Sequence, residues 1–204
     1  EMKVQWKGVY PAVTTKFKAD LSIDFKGFAD NLEAQLAAGV DGIVLGGTLG
    51  EASALEPSEK TDLIKAAKAQ TSGKVPVVIN IAEQTTRSAI EAAKNAQRDG
   101  ADGLMMLPPM RYKATDEETL SYFTSVAEST DLEIMIYNNP VDYKIEVTLD
   151  MFEQLADCKN IVAVKESTRD VSNVTRMINR FGNRFHILCG VDTLAAESLI
   201  MGAD

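Results

Sequence analysis

The sequence predicts an α/β fold, a (β/α)8 barrel of parallel strands, and three observations carry that expectation. Short apolar runs rich in Val and Ile alternate with longer amphipathic stretches at a step of roughly thirty residues. A Gly-x-Asp motif recurs at three joints where a helix gives way to a strand, as Gly39-Val40-Asp41-Gly42, Gly100-Ala101-Asp102-Gly103 and Gly202-Ala203-Asp204. The chain has 204 residues, fewer than the ~250 that a complete barrel of this kind takes. Because the third copy of the motif stops at Asp204, the expectation is one barrel domain over residues 1–204, truncated after about seven βα units. Its C-terminal strand and helices would be missing from this sequence. An open doubly wound sheet fits the length without that assumption and ranks second.

The candidate strands follow in order at 8–14, 42–45, 75–80, 103–107, 133–137, 161–165 and 186–189. Phe25, Phe28, Ala29, Leu32 and Leu36 form one apolar helical face that stops at Gly39. Pro57 suits a first helical position. Ala89, Ile90, Ala93 and Ala96 form a second face that stops at Gly100, and Thr115-Asp116-Glu117-Glu118 reads as a capping box for a third helix. Met105 and Met106, inside a strand, read as core filler.

Composition removes whole classes of function. Asp plus Glu total 30 against 21 Lys plus Arg, a net charge of -9, so the field of the molecule repels a phosphate backbone and no nucleic-acid partner is expected. No apolar stretch reaches the ~18 residues of a membrane span, and the N-terminus lacks the layout of a secretory signal. A cytoplasmic protein without a membrane partner is expected. Cys158, Cys189 and the lone His186 are too few for a disulfide framework or a metal site, and the cysteines read as reduced core residues.

Three segments carry chemistry-bearing residues to strand ends, where the active sites of parallel barrels assemble. Ile161-Val162-Ala163-Val164-Lys165-Glu166-Ser167 places an amine at the end of a strand expected to be buried on both faces. Burial disfavours an ammonium, so a lysine there becomes a nucleophile able to form a Schiff base, or else pairs with a carboxylate or snorkels to water. Glu133-Ile134-Met135-Ile136-Tyr137-Asn138-Asn139-Pro140 delivers a phenol to the same rim, suited to proton transfer or to capping the core. Ile43-Val44-Leu45-Gly46-Gly47-Thr48-Leu49-Gly50-Glu51 is a glycine-rich turn whose amides can approach a small carboxylate. Thr48 there serves the carboxylate, relays a proton to Tyr137, or satisfies its own turn. A dinucleotide fingerprint would need glycine at Leu45, Gly47 and Gly50, and the first is missing.

Gly46-Gly47-Thr48-Leu49-Gly50-Glu51, Tyr137-Asn138-Asn139-Pro140 and Val164-Lys165-Glu166-Ser167 together resemble, in order and spacing, the three hallmark segments of the dihydrodipicolinate synthase and N-acetylneuraminate lyase superfamily. The resemblance implies a (β/α)8 barrel, usually homotetrameric, that forms a Schiff base with a 2-keto acid or related imine. It makes Lys165 the Schiff-base lysine, Tyr137 the proton shuttle, and Gly47, Thr48 and the Leu49 amide the carboxylate cradle. Gly190, in Cys189-Gly190-Val191-Asp192, matches a rim glycine, and Asn139 joins the substrate-binding set. No cofactor is implied, because the protonated Schiff base is itself the electron sink.

Departures from the family pattern narrow the expectation. In the synthases a second threonine stands at Leu49, an arginine that grips the second substrate's carboxylate stands at Asp142, and a tyrosine lent to the neighbouring subunit aligns with Arg111, one step from Tyr112. An acid at 142 cannot clamp a carboxylate. The tyrosine motif without that arginine resembles the branch that dehydrates or deaminates small hydroxylated acids, nearest to 1-pyrroline-4-hydroxy-2-carboxylate deaminase. Dihydrodipicolinate synthesis, a 2-keto-3-deoxy sugar acid dehydratase or aldolase, and a non-catalytic protein that captures a small carboxylate or serves as a regulator are the alternatives.

Overall fold

The computed structural model describes residues 2–109 and 111–204. Along the chain run α1 (Phe25–Ala37), β1 (Ile43–Leu45), α2 (Pro57–Thr71), β2 (Val77–Ile81), α3 (Thr86–Asp99), β3 (Gly103–Met106) and α4 (Asp116–Glu128). Next come β4 (Glu133–Asn138), the single turn α5 (Pro140–Tyr143), α6 (Leu149–Leu155), β5 (Ile161–Glu166), α7 (Ser172–Phe181), β6 (His186–Cys189) and α8 (Ala195–Met201). The strands form one parallel sheet in the order β1-β2-β3-β4-β5-β6. Among the described residues no helix is long and apolar enough to cross a membrane.

Helix ends obey the local chemistry read from the sequence. Thr115 accepts from the Glu118 amide while Glu118 reaches back to the Thr115 amide. Pro57 occupies the first turn of α2, where its missing N–H costs nothing. Gly100 ends α3 in the left-handed region at φ +94°, which a side chain would resist.

One expected strand is corrected. Residues 8–14 make a single bridge, Ala12 with Val44, supported by bonds from the Val44 amide to the Pro11 carbonyl and from the Val13 amide to the Val44 carbonyl, both 3.0 Å. Pro11 has no N–H for a ladder and Gly8 turns at φ +89°, so the segment runs beside β1 without becoming a sheet strand. The cysteines also differ from expectation, being free but only half-buried.

Alternation along the strands divides the core into two layers. Leu45, Ile79, Met106, Ile136, Val164 and Ile187 face the helices. Val44, Val78, Met105, Met135, Ala163 and Leu188, one from each strand, meet on the concave side with Val4 and Trp6 of the amino-terminal segment. That meeting requires the sheet to curl as a barrel does. The Trp6 indole donates to Glu133 at 2.7 Å and its ring fills the space beside Gly103, where a Cβ would stand 3.1 Å from it.

The repeated Gly-x-Asp motif has a structural cause. Asp41 accepts the Val9 amide at 2.7 Å, Asp102 the Val77 amide at 2.9 Å, and Asp204 the Ile187 amide at 3.0 Å. At each joint the carboxylate reaches back to an amide at the start of the preceding segment and satisfies a donor that the ladder leaves open. Asp204 also receives the Gly8 amide on its carbonyl and gives its own amide to Ile187, so it lies between β6 and the amino-terminal segment.

Asp102 binds most. Its fully buried side chain also takes the Met2 amide and Lys68 Nζ, each at 2.7 Å. Replacing it by alanine strands the Val77 N–H in the interior, while Lys68, 27% exposed, can turn to water. The expected loss, read from denaturant unfolding of Asp102→Ala, is about 2–4 kcal/mol.

Candidate active site

The same alternation that buries Met135 and Ala163 on the concave side brings Tyr137 and Lys165, two residues further along β4 and β5, to that side at the carboxyl ends of their strands. They are direct register partners. Lys165 Nζ stands 4.3 Å from the centre of the Tyr137 ring, and among the described residues no carboxylate pairs with it. The lysine is half-buried rather than enclosed on both faces. It lies over the Tyr137 ring, whose quadrupole attracts a cation.

Gly190 follows β6 and defines one wall of the lysine's channel. A Cβ there would stand 1.9 Å from Ser167 Oγ, 2.9 Å from Lys165 Cγ and 3.0 Å from Lys165 Cε. Glycine is required by this close approach. Among the described residues the buried Ser167 hydroxyl has no hydrogen-bond partner, and Asn80 Oδ1, on the interior face of β2, is likewise buried and unpaired. Both are polar atoms placed where a polar ligand could complete them. Glu166, on the opposite face of β5, accepts from the Thr168 amide at 2.7 Å and from Asn173 Nδ2 at 2.6 Å. It thereby fixes the loop after β5 against α7.

The glycine-rich loop is held by its carbonyls. Asn80 Nδ2 donates to the Gly46 carbonyl at 3.1 Å, and Thr15 Oγ1 donates to the Gly50 carbonyl at 2.6 Å. Gly46 lies at φ +62°, and a Cβ on Gly50 would stand 3.1 Å from the Gly46 nitrogen. Among the described residues the Thr48 and Leu49 amides donate to no backbone carbonyl. A loop with tethered carbonyls and open amides is suited to an anion.

The turn after β4 holds the phenol. Asn139 Nδ2 donates to Tyr137 Oη at 3.3 Å and to Asp142 Oδ2 at 2.8 Å, and its own oxygen caps the Asp142 amide. Both Asn139 hydrogens are thus engaged within the turn, so the side chain orients Tyr137 instead of presenting a donor to a ligand. Asp142 lies at the exposed rim, 3.5 Å from the Arg169 guanidinium. Arg169 is a non-glycine residue at φ +64°, an uncommon conformation.

Tyr143 closes α5. Its ring meets Tyr137 edge-on with centroids 5.5 Å apart, and its hydroxyl lies 2.5 Å from Thr48 Oγ1. Thr48 thus bonds Tyr143, where the sequence pointed to Tyr137. Burial raises the Tyr143 pKa above the ordinary phenol value. The Thr48 bond opposes this, and Tyr137 and Asp142 add to the rise. Tyr143, Ser167 and Asn80 were not among the residues read from the sequence. A polar residue closing the apolar run 75–80 is the one visible sign of Asn80. Tyr143 sits on a single helical turn that periodicity does not register.

Lys165, Tyr137, Thr48 and Gly190 converge on one end of the sheet, while Leu49 is 70% exposed. Arg111 and Tyr112 stand apart, Tyr112 79% exposed with the Arg111 guanidinium 6.0 Å from its ring. Among the described residues no group of three His, Cys, Asp or Glu could hold a metal ion. The arrangement brings an amine, two phenols and a glycine-rich turn together at one end of the sheet.

Comparison with known proteins fits this geometry. The model of the dihydrodipicolinate synthetase family matches residues 5–204. A 4-hydroxy-tetrahydrodipicolinate synthase from Exiguobacterium sibiricum is 33% identical over 198 residues, spanning 97% of this chain and 68% of that protein. One from Aquifex aeolicus is 31% identical over 199 residues, spanning 97% and 67%. Among solved structures, a dihydrodipicolinate synthase from Bacillus anthracis superposes with a TM-score of 0.94 at 29% identity, covering 98% of this chain and 68% of its own. A prophage protein of the dihydrodipicolinic acid synthase family from E. coli K12, in complex with pyruvate, gives 0.92 at 32% identity, covering 98% and 69%.

Proposed function

The chain belongs to the dihydrodipicolinate synthetase family, and from that premise we propose that it is a lysine Schiff-base lyase of small 2-keto or cyclic imino acids. The finer reading is conversion of 1-pyrroline-4-hydroxy-2-carboxylate to 2-oxoglutarate semialdehyde. The enzyme would act as a single (β/α)8 barrel domain, homotetrameric and cytoplasmic, with no cofactor.

The observation that carries the lyase reading is the Lys165 amine 4.3 Å above the Tyr137 ring, paired with no carboxylate among the described residues. Nζ attacks the imine carbon, the ring C–N bond breaks, and the substrate nitrogen leaves as a primary amine still tethered to the chain. Tyr137 carries the protons of addition and ring opening. The Schiff base acidifies the adjacent carbon, so a proton leaves there and hydroxide leaves from the next carbon as water. Proton shifts from the carbon that bears the amine back to the chain turn the new double bond into an imine of that amine, whose hydrolysis releases ammonia, and hydrolysis of the lysine adduct frees the product. One water is lost and two are taken up, so the net reaction consumes one. The Thr48 and Leu49 amides bind the carboxylate throughout.

Asp142 favours the imino acid. Ring opening creates an ammonium, which an acid at the rim attracts and an arginine would repel. The 4-hydroxy-tetrahydrodipicolinate synthases among the relatives support the second reading, condensation of pyruvate with an aldehyde.

Intact mass after borohydride reduction separates the two. With hydroxypyrroline carboxylate the full-length protein is expected to gain a covalent adduct and to release ammonia. With pyruvate and aspartate semialdehyde it is expected to form no heterocyclic product. Turnover of that second pair without ammonia release from the imine would select the synthase.

A further inference from the structure

We propose that Tyr143 supplies, from within the same chain, the terminal hydroxyl of the proton path that serves Lys165 and Tyr137. The inference rests on the Schiff-base reading of the site. Tyr143 follows the tyrosine turn, yet its hydroxyl lies 2.5 Å from Thr48 Oγ1 on the loop after β1, so it joins loops from strands that are not neighbours in the sheet. Its ring is fixed edge-on against Tyr137, and Tyr137 is fixed in turn beneath Lys165. The exposed Tyr112 does not contribute a bond here. Thr48 has Tyr143 as its side-chain partner among the described residues.

Each hydroxyl is both donor and acceptor, so a phenol and a threonine in contact can pass a proton in either direction. As Tyr137 gives its proton to the lysine adduct, Thr48 passes its own to the Tyr137 oxygen, Tyr143 gives its hydrogen to Thr48, and Tyr143 takes one back from solvent at the rim. The pair ends as it began. Burial keeps the phenol neutral through the physiological range, so it stays a donor. Thr48 presents an amide to the substrate carboxylate and a hydroxyl to this pair, and Tyr143 orients that hydroxyl. Tyr143 is therefore a positioning and relay residue that acts through Thr48.

The test separates adduct formation from proton transfer in the full-length protein. Pyruvate is the probe, with the borohydride-trapped adduct measured by intact mass and exchange of its methyl protons in deuterium oxide followed by NMR. Tyr143→Phe keeps the ring and removes only the hydroxyl. The expected result is an equilibrium adduct within about twofold of wild type and exchange slowed by about 10²-fold, at the low end of what proton-transfer groups contribute. Thr48→Val should slow exchange equally, the double variant should be no slower than either, and Thr48→Ser should rescue it. Exchange by Tyr143→Phe within twofold of wild type, or a double variant slower by the product of the single effects, overturns the proposal. A wild-type protein without a Lys165-dependent adduct overturns the Schiff-base reading beneath it, a result the wild-type mass alone reveals.

Discussion

Lys165→Ala is expected to abolish the borohydride-trapped adduct and to lower kcat/KM by at least about 10³-fold, because it removes the amine that forms the covalent bond. The fold should survive. Lys165 holds no ion pair among the described residues, and its Nζ lies over the Tyr137 ring at 4.3 Å, so alanine leaves no partner charge behind. The variant should unfold at wild-type denaturant concentration while its mass after reduction stays unmodified. An adduct on the variant would place the nucleophile elsewhere.

Gly190→Ala is expected to damage the site almost as severely without removing any chemical group. The added methyl would stand 1.9 Å from Ser167 Oγ and 2.9 Å from Lys165 Cγ, well inside van der Waals contact. Ser167 is buried and has little room to retreat, so the lysine stem moves instead. A displacement of about 1 Å at a nucleophile costs on the order of 10²-fold in rate, and overpacking costs about 1–3 kcal/mol in stability. Adduct formation with pyruvate should slow while the denaturation midpoint falls, and both should recover in Gly190→Ala/Ser167→Gly, which removes the hydroxymethyl that meets the new methyl. Wild-type adduct formation by the single variant would show that the lysine stem does not need that space.

The legible parts of the sequence were those governed by local rules. The capping box at Thr115 and the glycine stop at Gly100 depend on residues within one or two turns of each other, and both appear as read. The strand rhythm depends on which residues water excludes, so six candidate strands recur within one or two residues of their expected bounds. The segment at 8–14 failed because one proline removes a ladder donor inside an otherwise strand-like run. Asn139 failed differently: the motif showed an amide next to a phenol, and only the closed turn showed that both its hydrogens go to Tyr137 and Asp142. Thr48 was read toward Tyr137, the nearest phenol by motif, because nothing in the sequence reveals that α5 tips a second phenol across the sheet.

By itself the sequence determined the alternation of strand and helix, the repeated acid at each joint, and the arrival of an amine and a phenol at the ends of β5 and β4. These follow from period, burial and capping, which act over a few residues. The tertiary structure alone decided which groups meet: the curl of the sheet that brings Thr48 to Tyr143, the register that sets Lys165 beside Tyr137, and the approach of Gly190 to the lysine stem. Those contacts join residues 25 to 95 positions apart. Their geometry is set by how the strands pack around a shared interior, a property of the assembled sheet that no single segment contains.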